Sequence, residues 1–137
     1  MAAKGTVICH TETLLGAGGV FLGDPIQLSL PSSAASNQVG TQFDALSMIS
    51  GYVNSVEAGT LDIYQGSALE VKAILAGAPA AGTSDGSLRL NTFAHPGGAA
   101  AVGTPFAVQR VAPWVRFRYT NAAPPQTTFR LHGEGLE

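Results

Sequence analysis

Charged residues are unusually scarce in this sequence. Charged side chains make up only 12% of its 137 residues, against ~25% in a typical globular protein, and the net charge is −2. Disorder does not explain this, because disordered chains combine high net charge with low hydrophobicity, and 45% of these residues are hydrophobic. The surface must expose many small uncharged residues, which favours a protein partly covered by other copies or by a partner. The alternative is a weakly charged, soluble monomer.

Other features are missing too, and each absence excludes a class of protein. The single cysteine, Cys9, allows no internal disulfide and no cysteine-based zinc site. No apolar run approaches the ~18 residues of a membrane span, and residues 1–15 lack the apolar segment of a signal peptide. The net charge offers no electrostatic footprint for nucleic acid. We therefore expect a soluble product of the cytoplasm, with neither a membrane nor nucleic acid as partner.

Catalytic and metal-binding patterns are also lacking. The three histidines, His10, His95 and His132, fall in the N-terminal segment, a Gly/Pro loop and the last strand, without HExxH or His-x-His spacing. No GxSxG sequence is present. Two stretches are rich in glycine, residues 16–23 and residues 97–103, and neither contains the lysine of a phosphate-binding loop. Cys9 is interpreted as a small buried residue rather than a nucleophile. The sequence predicts a protein that is not an enzyme, with no catalytic residue, cofactor or metal.

What is present is a series of short alternating segments. Residues 26–30 and 60–65 alternate apolar and polar side chains, as a strand with one buried face does. Residues 43–53 predict a longer strand, in which Gly51 marks a bulge or a close approach. Residues 69–75 fit either two helical turns or a strand, and their β-branched content favours the strand. No stretch of ten or more residues has a sustained amphipathic helical pattern.

The last third of the chain has the strongest alternation. Residues 114–120, WVRFRYT, and residues 126–133, QTTFRLHG, are separated by a turn rich in Asn, Ala and Pro. The two segments predict a hairpin with matching polarity. Its inward side chains would be Val115, Phe117, Tyr119, Phe129 and Leu131, and its outward arginines Arg116, Arg118 and Arg130.

Trp114, which follows Pro113 at the start of the first of these strands, has two interpretations. It is either a packing or interface anchor, as amphipathic aromatic side chains often are, or part of a platform for a sugar ligand. Aromatic residues are only 7% of the chain, so few rings are available to build a sugar site that needs several. The anchor is the favoured interpretation.

These segments together predict one domain of the all-β class. The fold expected is a β-sandwich, jelly-roll-like or Ig-like, of about eight short antiparallel strands. Residues 1–23 contain short apolar pieces separated by glycines, and are predicted as an extended N-terminal arm, with an edge strand as the alternative. The sandwich would then occupy residues 24–137.

Three segments resemble a loose family of small phage virion proteins. They are residues 10–24, HTETLLGAGGVFLGD; residues 52–67, YVNSVEAGTLDIYQGS; and residues 111–133, VAPWVRFRYTNAAPPQTTFRLHG. The third is the most specific and the first the least. The chain departs from the family at residues 66–70, GSALE, where a different turn is usual, and in a longer Ala/Gly-rich stretch over residues 75–103.

The resemblance implies a structural component of the virion, without catalytic residues. The favoured role is a capsid decoration, or cement, protein that binds the outer shell and stabilises it, with the major capsid protein or other virion proteins as partners. The resemblance also implies a homo-oligomer, with a trimer favoured. The alternative is a collar or tail-fibre component that binds host glycans.

A decoration role predicts an interface. Residues 1–23 are expected to order only on the assembly and to lie on a neighbour by strand addition, and the outward arginines are expected to be free to pair with acidic groups of the shell. The residues predicted to form the interface are Val7, Ile8, Leu14, Leu15, Trp114, Arg116, Arg118 and Arg130.

Overall fold

The structure, a computed structural model, describes residues 5–28, 48–76, 88–98 and 103–136. These residues form nine strands in two antiparallel sheets and one short helix, which confirms the predicted all-β sandwich. The strands are β1 (Gly5–Thr11), β2 (Val20–Leu22), β3 (Ile26–Gln27), β4 (Met48–Ser55), β5 (Gly59–Gly66), β6 (Arg89–His95), β7 (Thr104–Gln109), β8 (Trp114–Asn121) and β9 (Phe129–Leu136), and the helix is α1 (Ala68–Lys72).

The two sheets have different strand orders. Sheet A has the order β1-β9-β4-β7. Sheet B has the order β2-β8-β5-β6, with β3 also pairing with β8. Strands that follow one another in sequence mostly lie in different sheets, so the chain repeatedly crosses the sandwich.

The core lies between the sheets and follows the alternation in the sequence. In β8, Val115, Phe117 and Tyr119 are at most 1% exposed, and in β9 Phe129 and Leu131 are at most 4% exposed. Alternate residues of a strand point to opposite faces, so each strand supplies one row of apolar side chains to a single core. Strands of both sheets contribute to this core, whose members include Ile8, Ile49, Val53, Leu61, Ile63, Phe106, Val108, Val115, Phe117, Tyr119, Phe129 and Leu131.

Glycines make room where backbone and side chains meet closely. A Cβ on Gly133 would collide with the ring of Phe117, which crosses from sheet B onto β9. A Cβ on Gly51, which is opposite Gly133 in the β4–β9 register, would collide with the carbonyl oxygen of His132. The prediction that Gly51 marks a close approach is therefore confirmed.

The prediction that the last two strands form a hairpin is wrong, because they do not pair with each other. The prediction of which side chains of these strands face the core is confirmed. Strand β8 lies in sheet B, and β9 lies in sheet A. The two strands face each other across the core, where the rings of Tyr119 and Phe129 have centroids 5.0 Å apart. Alternation identifies which side of a strand is buried, but it does not distinguish a neighbour in the same sheet from one in the opposite sheet.

The strand favoured for residues 69–75 is also wrong, because this segment contains α1. Ser67 caps the helix: its side chain accepts a hydrogen bond from the backbone N–H of Glu70, the usual role of serine at this position. The apolar residues at helical spacing, Val71 and Ile74, are at most 1% exposed. Helix α1 packs against β5, where Tyr64, on the outer face of sheet B, is only 1% exposed.

The segment predicted as an arm is integrated into both sheets from Gly5 onward. Strand β1 pairs with β9 at the edge of sheet A, and β2 pairs with β8 at the edge of sheet B. A shift in the β1–β9 register between Val7 and Cys9 leaves two adjacent residues, Ile8 and Cys9, both buried in the core. Residues 5–23 thus have partners within the chain itself, as the edge-strand alternative expects.

Strand β4 begins at Met48, and the predicted strand residues 43–47 lie outside the described part of the chain. Ile49 and Val53 enter the core, whereas Met48 and Tyr52 share the outer face of sheet A. The sequence also predicts loops over residues 31–40 and 76–86, rich in small and polar residues; apart from Ala76, both lie outside the described residues. Within residues 5–28, 48–76, 88–98 and 103–136, no helix has the length and apolar character needed to cross a membrane.

Candidate functional site

The outer face of sheet B is covered by the chain itself. Helix α1 and the residues after it pack there, and Arg116 anchors them. Its Nε donates to the carbonyl of Gly23 at 2.6 Å, and its Nη1 lies 3.3–3.4 Å from the carbonyls of Val71, Lys72 and Ile74. One guanidinium therefore satisfies carbonyls at the helix C-terminus and in the β2–β3 connection.

Arg118 makes a second anchor on the same face. It is directly opposite Asp62 in the β5–β8 register, and its Nη1 lies 3.1 Å from Asp62 Oδ2. The two side chains are only 11% and 13% exposed. Thr92 donates to the other oxygen of Asp62 at 2.9 Å, and Arg118 Nε donates to the carbonyl of Ala76 at 2.9 Å. The ion pair thus has hydrogen-bond partners on both sides.

These contacts correct one expectation about the outward arginines. Arg116 and Arg118 do point away from the core, but both are engaged by the chain and are not free to pair with a shell. Trp114, on the same face, has Nζ of Lys72 4.6 Å from its ring centroid, a cation–π geometry. An interface role for these three residues stays a prediction.

The outer face of sheet A is different, because none of the described segments covers it. The face combines exposed apolar and small side chains with one row of polar groups. Val7 is 56% exposed and Met48 37%, and Pro105 and Ala107 on β7 are also exposed. We call this surface the open face; its outward residues are Val7, His10, Glu12, Met48, Ser50, Tyr52, Asn54, Pro105, Ala107, Arg130, His132 and Glu134.

The polar groups of the open face form a connected cluster. Glu12 Oε1 lies 3.2 Å from Arg130 Nη2, and Glu12 Oε2 lies 3.1 Å from His10 Nε2. These hydrogen bonds, first from His10 and then from Arg130, lower the pKa of Glu12. His10 Nδ1 lies 3.1 Å from His132 Nδ1, and Glu134 lies 3.7 Å from the far nitrogen of His132. The cluster extends from the β1 edge across β9.

The structure separates the predicted interface residues of the first and last strands. Val7 and Arg130 lie on the open face. Leu14, 52% exposed, lines an open groove of about 400 Å³ together with Glu12 and Arg130. In contrast, Ile8 is in the core, and Leu15 packs against it. Ile8 is therefore not available to a partner while the sandwich is intact.

The sequence did not predict that His10 and His132 lie next to each other. His10 and His132 are 122 positions apart, and only the β1–β9 register places them opposite each other. A signal was present in the alternation of ionisable residues: His10 and Glu12 are two apart, and so are Arg130, His132 and Glu134. Such spacing puts each set on one face of its strand, but nothing in the sequence identifies the two strands as neighbours.

Cys9 and His95 are held in structural roles. Burial, with a smaller contribution from Asp24, raises the pKa of the Cys9 thiol to about 12, so the thiol is protonated and a poor nucleophile. His95 is 4% exposed. Its ring nitrogens lie 2.8 Å from Thr104 Oγ1 and 2.8 Å from the carbonyl oxygen of Ser55, so neither nitrogen faces a ligand.

Alkaline pH is expected to destabilise the sandwich through two buried groups. The pKa is raised from 9.0 to about 12 for Cys9 and from 10.0 to about 12 for Tyr119, in both cases mainly by burial. Because the native state holds these protons more tightly than the unfolded state, the free energy of unfolding falls as the pH rises from about 9 towards 12. Each pKa unit corresponds to about 1.4 kcal/mol, so the loss is on the order of a few kcal/mol.

Urea unfolding across this pH range measures the effect. The Cys9→Ala variant should lose less of its free energy of unfolding at the lower end of this pH range, and the Tyr119→Phe variant should lose less at the upper end. Equal slopes in the variants and the parent chain would show that other groups cause the decline.

The geometry defines a class, a two-sheet antiparallel β-sandwich in which the described segments cover the outer face of sheet B and leave that of sheet A uncovered. The fold is similar to the crystal structure of the PBSX exported protein XepA, with a TM-score of 0.60 and 16% sequence identity. The similar region covers 96% of this chain and 36% of that chain, so this chain spans about a third of the length of XepA. No family model matches the sequence. No curated protein sequence matches it either.

Proposed function

We propose that this chain is a phage virion structural protein that decorates the outer capsid shell and docks through the open face of sheet A. The observation that carries the proposal is the asymmetry of the sandwich. The chain covers one outer sheet face with its own helix and two arginines, and its described segments leave the other face uncovered, with exposed Val7 and Met48. Exposed apolar positions around a polar cluster are typical of protein–protein contact surfaces.

Two likenesses support a role in a phage particle. The sandwich is shared with XepA, a phage protein. Three sequence segments resemble small phage virion proteins, and the one at residues 111–133 is the most specific.

The size of the open face argues for docking as an oligomer. With strands ~4.8 Å apart and a rise of ~3.3 Å per residue, four strands of about seven residues span roughly 450 Å². A stable interface usually buries about 800 Å² on each partner. One copy would therefore bind weakly, and several linked copies would bind much more tightly because later contacts are intramolecular. This supports the homo-oligomer, with a trimer favoured by the sequence resemblance.

A matched pair of substitutions tests the docking surface. Ala107 lies on β7 at the open face, and Ala94 lies on β6 at the edge of sheet B; both are exposed strand residues. Ala107→Glu places an unpaired charge in the proposed contact and should weaken capsid binding about tenfold or more, equivalent to about 1.4 kcal/mol. Ala94→Glu adds the same side chain to the other sheet and should leave binding unchanged.

The measurement is co-sedimentation of the purified chain with capsids, after light scattering has established its mass in solution. Loss of binding in Ala94→Glu with retention in Ala107→Glu would place the contact on sheet B. If the parent chain does not bind capsids at all, the decoration role is wrong, and the collar or tail-fibre role takes its place.

A further inference from the structure

The described strands give the two sheets four edges, and three of them carry features that hinder the addition of another strand. Strand β1 has a register shift between Val7 and Cys9, and such a bulge twists an edge away from a partner. Strand β7 contains Pro105, which has no N–H to donate. The third edge is divided between β2 and β3, of three and two residues, and very short strands also protect an edge.

Strand β6, at the fourth edge, has none of these features. Its seven residues pair with β5 in an unbroken register from Arg89 to His95, and none of the described strands pairs with its other side. It contains no proline, and its only Lys, Arg, Asp or Glu residue is Arg89 at its start. Leu90 on this strand is 51% exposed. A regular, weakly charged edge strand of this kind is a template for pairing with another chain.

The backbone of β6 presents alternate residues to this edge. The N–H of Ala122 donates to the carbonyl of Ala58 at 3.0 Å, beside the pairing of Gly59 with β8. The N–H and C=O of Gly59 therefore point towards β6, where its partner is His95. These directions alternate along a strand. The N–H and C=O groups that face the edge are those of Leu90, Thr92 and Ala94.

Asn91 marks where a second sandwich has room. The inward row of β6 contains Asn91 and Phe93, opposite the buried Ile63 and Leu61 of β5. Phe93 packs against Phe106 of sheet A, with ring centroids 5.8 Å apart. Asn91 is exposed, so sheet A does not cover β6 at that residue. A second copy can therefore approach β6 around Asn91 without meeting the first copy's sheet A.

We propose that two copies of this chain pair through β6, antiparallel about a two-fold axis at Asn91, so that their B sheets join into one. Residues 89–93 of each copy form the contact, and Ala94 lies beyond it. Leu90 and Thr92 of one copy each donate and accept a backbone hydrogen bond with Thr92 and Leu90 of the other. Among the edges that the described strands offer, β6 alone is unprotected, so the pairing is between identical edges.

The side chains of the paired residues suit this register. On the outer face, the exposed Leu90 lies opposite Thr92 of the other copy and diagonal to the other Leu90, at the ~7–8 Å that long side chains can bridge. On the inner face, Arg89 lies opposite Phe93, and Asn91 lies opposite its own copy, where the two amides can each donate to the other. Charges of the same sign directly opposite each other would destabilise the pair, and this register contains none.

A two-fold axis normal to the joined sheet turns both open faces to the same side. Two faces then offer roughly 900 Å² to one surface, which matches the ~800 Å² that a stable interface buries on each partner. This consequence rests on the proposed docking role, whereas the pairing itself does not. The assembly has two copies, in contrast to the trimer that the sequence resemblance favours.

Light scattering and amide hydrogen exchange of the purified chain, without capsids, test the pairing separately from docking. The mass should rise from 14.0 kDa towards twice that value between about 10 μM and 1 mM, the range expected for a small interface. Over the same range the amides of Leu90 and Thr92 should become protected, while those of Asn91 and Phe93, which point to β5, should be equally protected throughout. A constant mass of one chain, a trimer, or protection of Leu90 and Thr92 that arises only on capsids would overturn the proposal.

A matched pair of substitutions at Thr92 tests the contact itself. Thr92→Pro and Thr92→Val both remove the hydroxyl that donates to Asp62, but only proline removes the N–H at the edge, and it breaks no hydrogen bond to β5. Thr92→Pro should therefore stay folded at the mass of one chain, whereas Thr92→Val should pair as the parent chain does. Pairing of a folded Thr92→Pro variant would contradict the proposal. If proline unfolds the chain, the concentration dependence of the Leu90 and Thr92 amides in the parent chain decides the question.

Discussion

The Phe117→Ala variant is expected to lose about 3–5 kcal/mol of its free energy of unfolding, the usual cost of truncating a buried phenylalanine. Phe117 is 1% exposed. Its ring packs edge-on against Phe106 of sheet A, with centroids 5.7 Å apart, and also fills the space above Gly133. Truncation would leave a cavity between the sheets that glycine has no side chain to fill. Phe21→Ala, at a partly buried position beside the core, is the control and should cost clearly less.

The contact between Phe117 and Gly133 can be isolated by a double-mutant cycle. Gly133→Ala alone places a methyl group against the ring and should destabilise the fold by about 1–3 kcal/mol, as overpacking does. In the Phe117→Ala background, the same methyl group enters the cavity and should cost much less. Urea unfolding of all four proteins measures the coupling. Additive costs would mean that the ring does not occupy the space above Gly133.

Removing one partner of the buried ion pair on sheet B is the second large effect. Arg118→Met should destabilise the sandwich by about 3–5 kcal/mol, because it leaves the carboxylate of Asp62 in a buried place without its counter-ion. The same change removes the hydrogen bond to the carbonyl of Ala76. The segment after α1 should therefore become less protected in hydrogen exchange, beyond the change in overall stability.

The double variant Asp62→Leu with Arg118→Met distinguishes charge from packing. Replacing both partners by apolar side chains removes the unpaired charge, and such replacements are often neutral or stabilising. We expect the double variant to recover most of the stability lost in Arg118→Met. Thr92→Val, which removes only the hydrogen bond to Asp62, is the mild comparison. A double variant as unstable as Arg118→Met would indicate that the arginine acts through Ala76 rather than through Asp62.

The class of fold could be predicted from the sequence because burial in a sandwich has a period of two residues. The alternation in residues 60–65 places Leu61 and Ile63 on one face of a strand, and that in residues 114–120 predicts Phe117 as inward-facing; all three are buried. The helix α1 escaped prediction because five residues are too few to show a helical period, and Val71 fits a strand equally well. Its position depends on Arg116, which belongs to a strand distant in sequence.

The candidate site could be predicted only in fragments. Val7, Leu14 and Arg130 were predicted at an interface and lie at or beside the open face, whereas Ile8, Arg116 and Arg118 are engaged by the chain itself. The difference does not follow from residue type, since Arg116 and Arg130 are both outward arginines of strands. Arg116 lies under a helix, and Arg130 lies on the sheet face that the described segments leave uncovered.

The sequence by itself determined the all-β class, the inward row of each strong strand, and the scarcity of charge that requires much of the surface to be small or apolar. These properties depend on neighbours along the chain. Only the tertiary structure decided which strands are partners: that β8 and β9 face each other across the core, that residues 5–23 join both sheets, and that His10 meets His132. Strand pairing is a contact between distant segments, selected by how the whole core packs, and no local pattern encodes it.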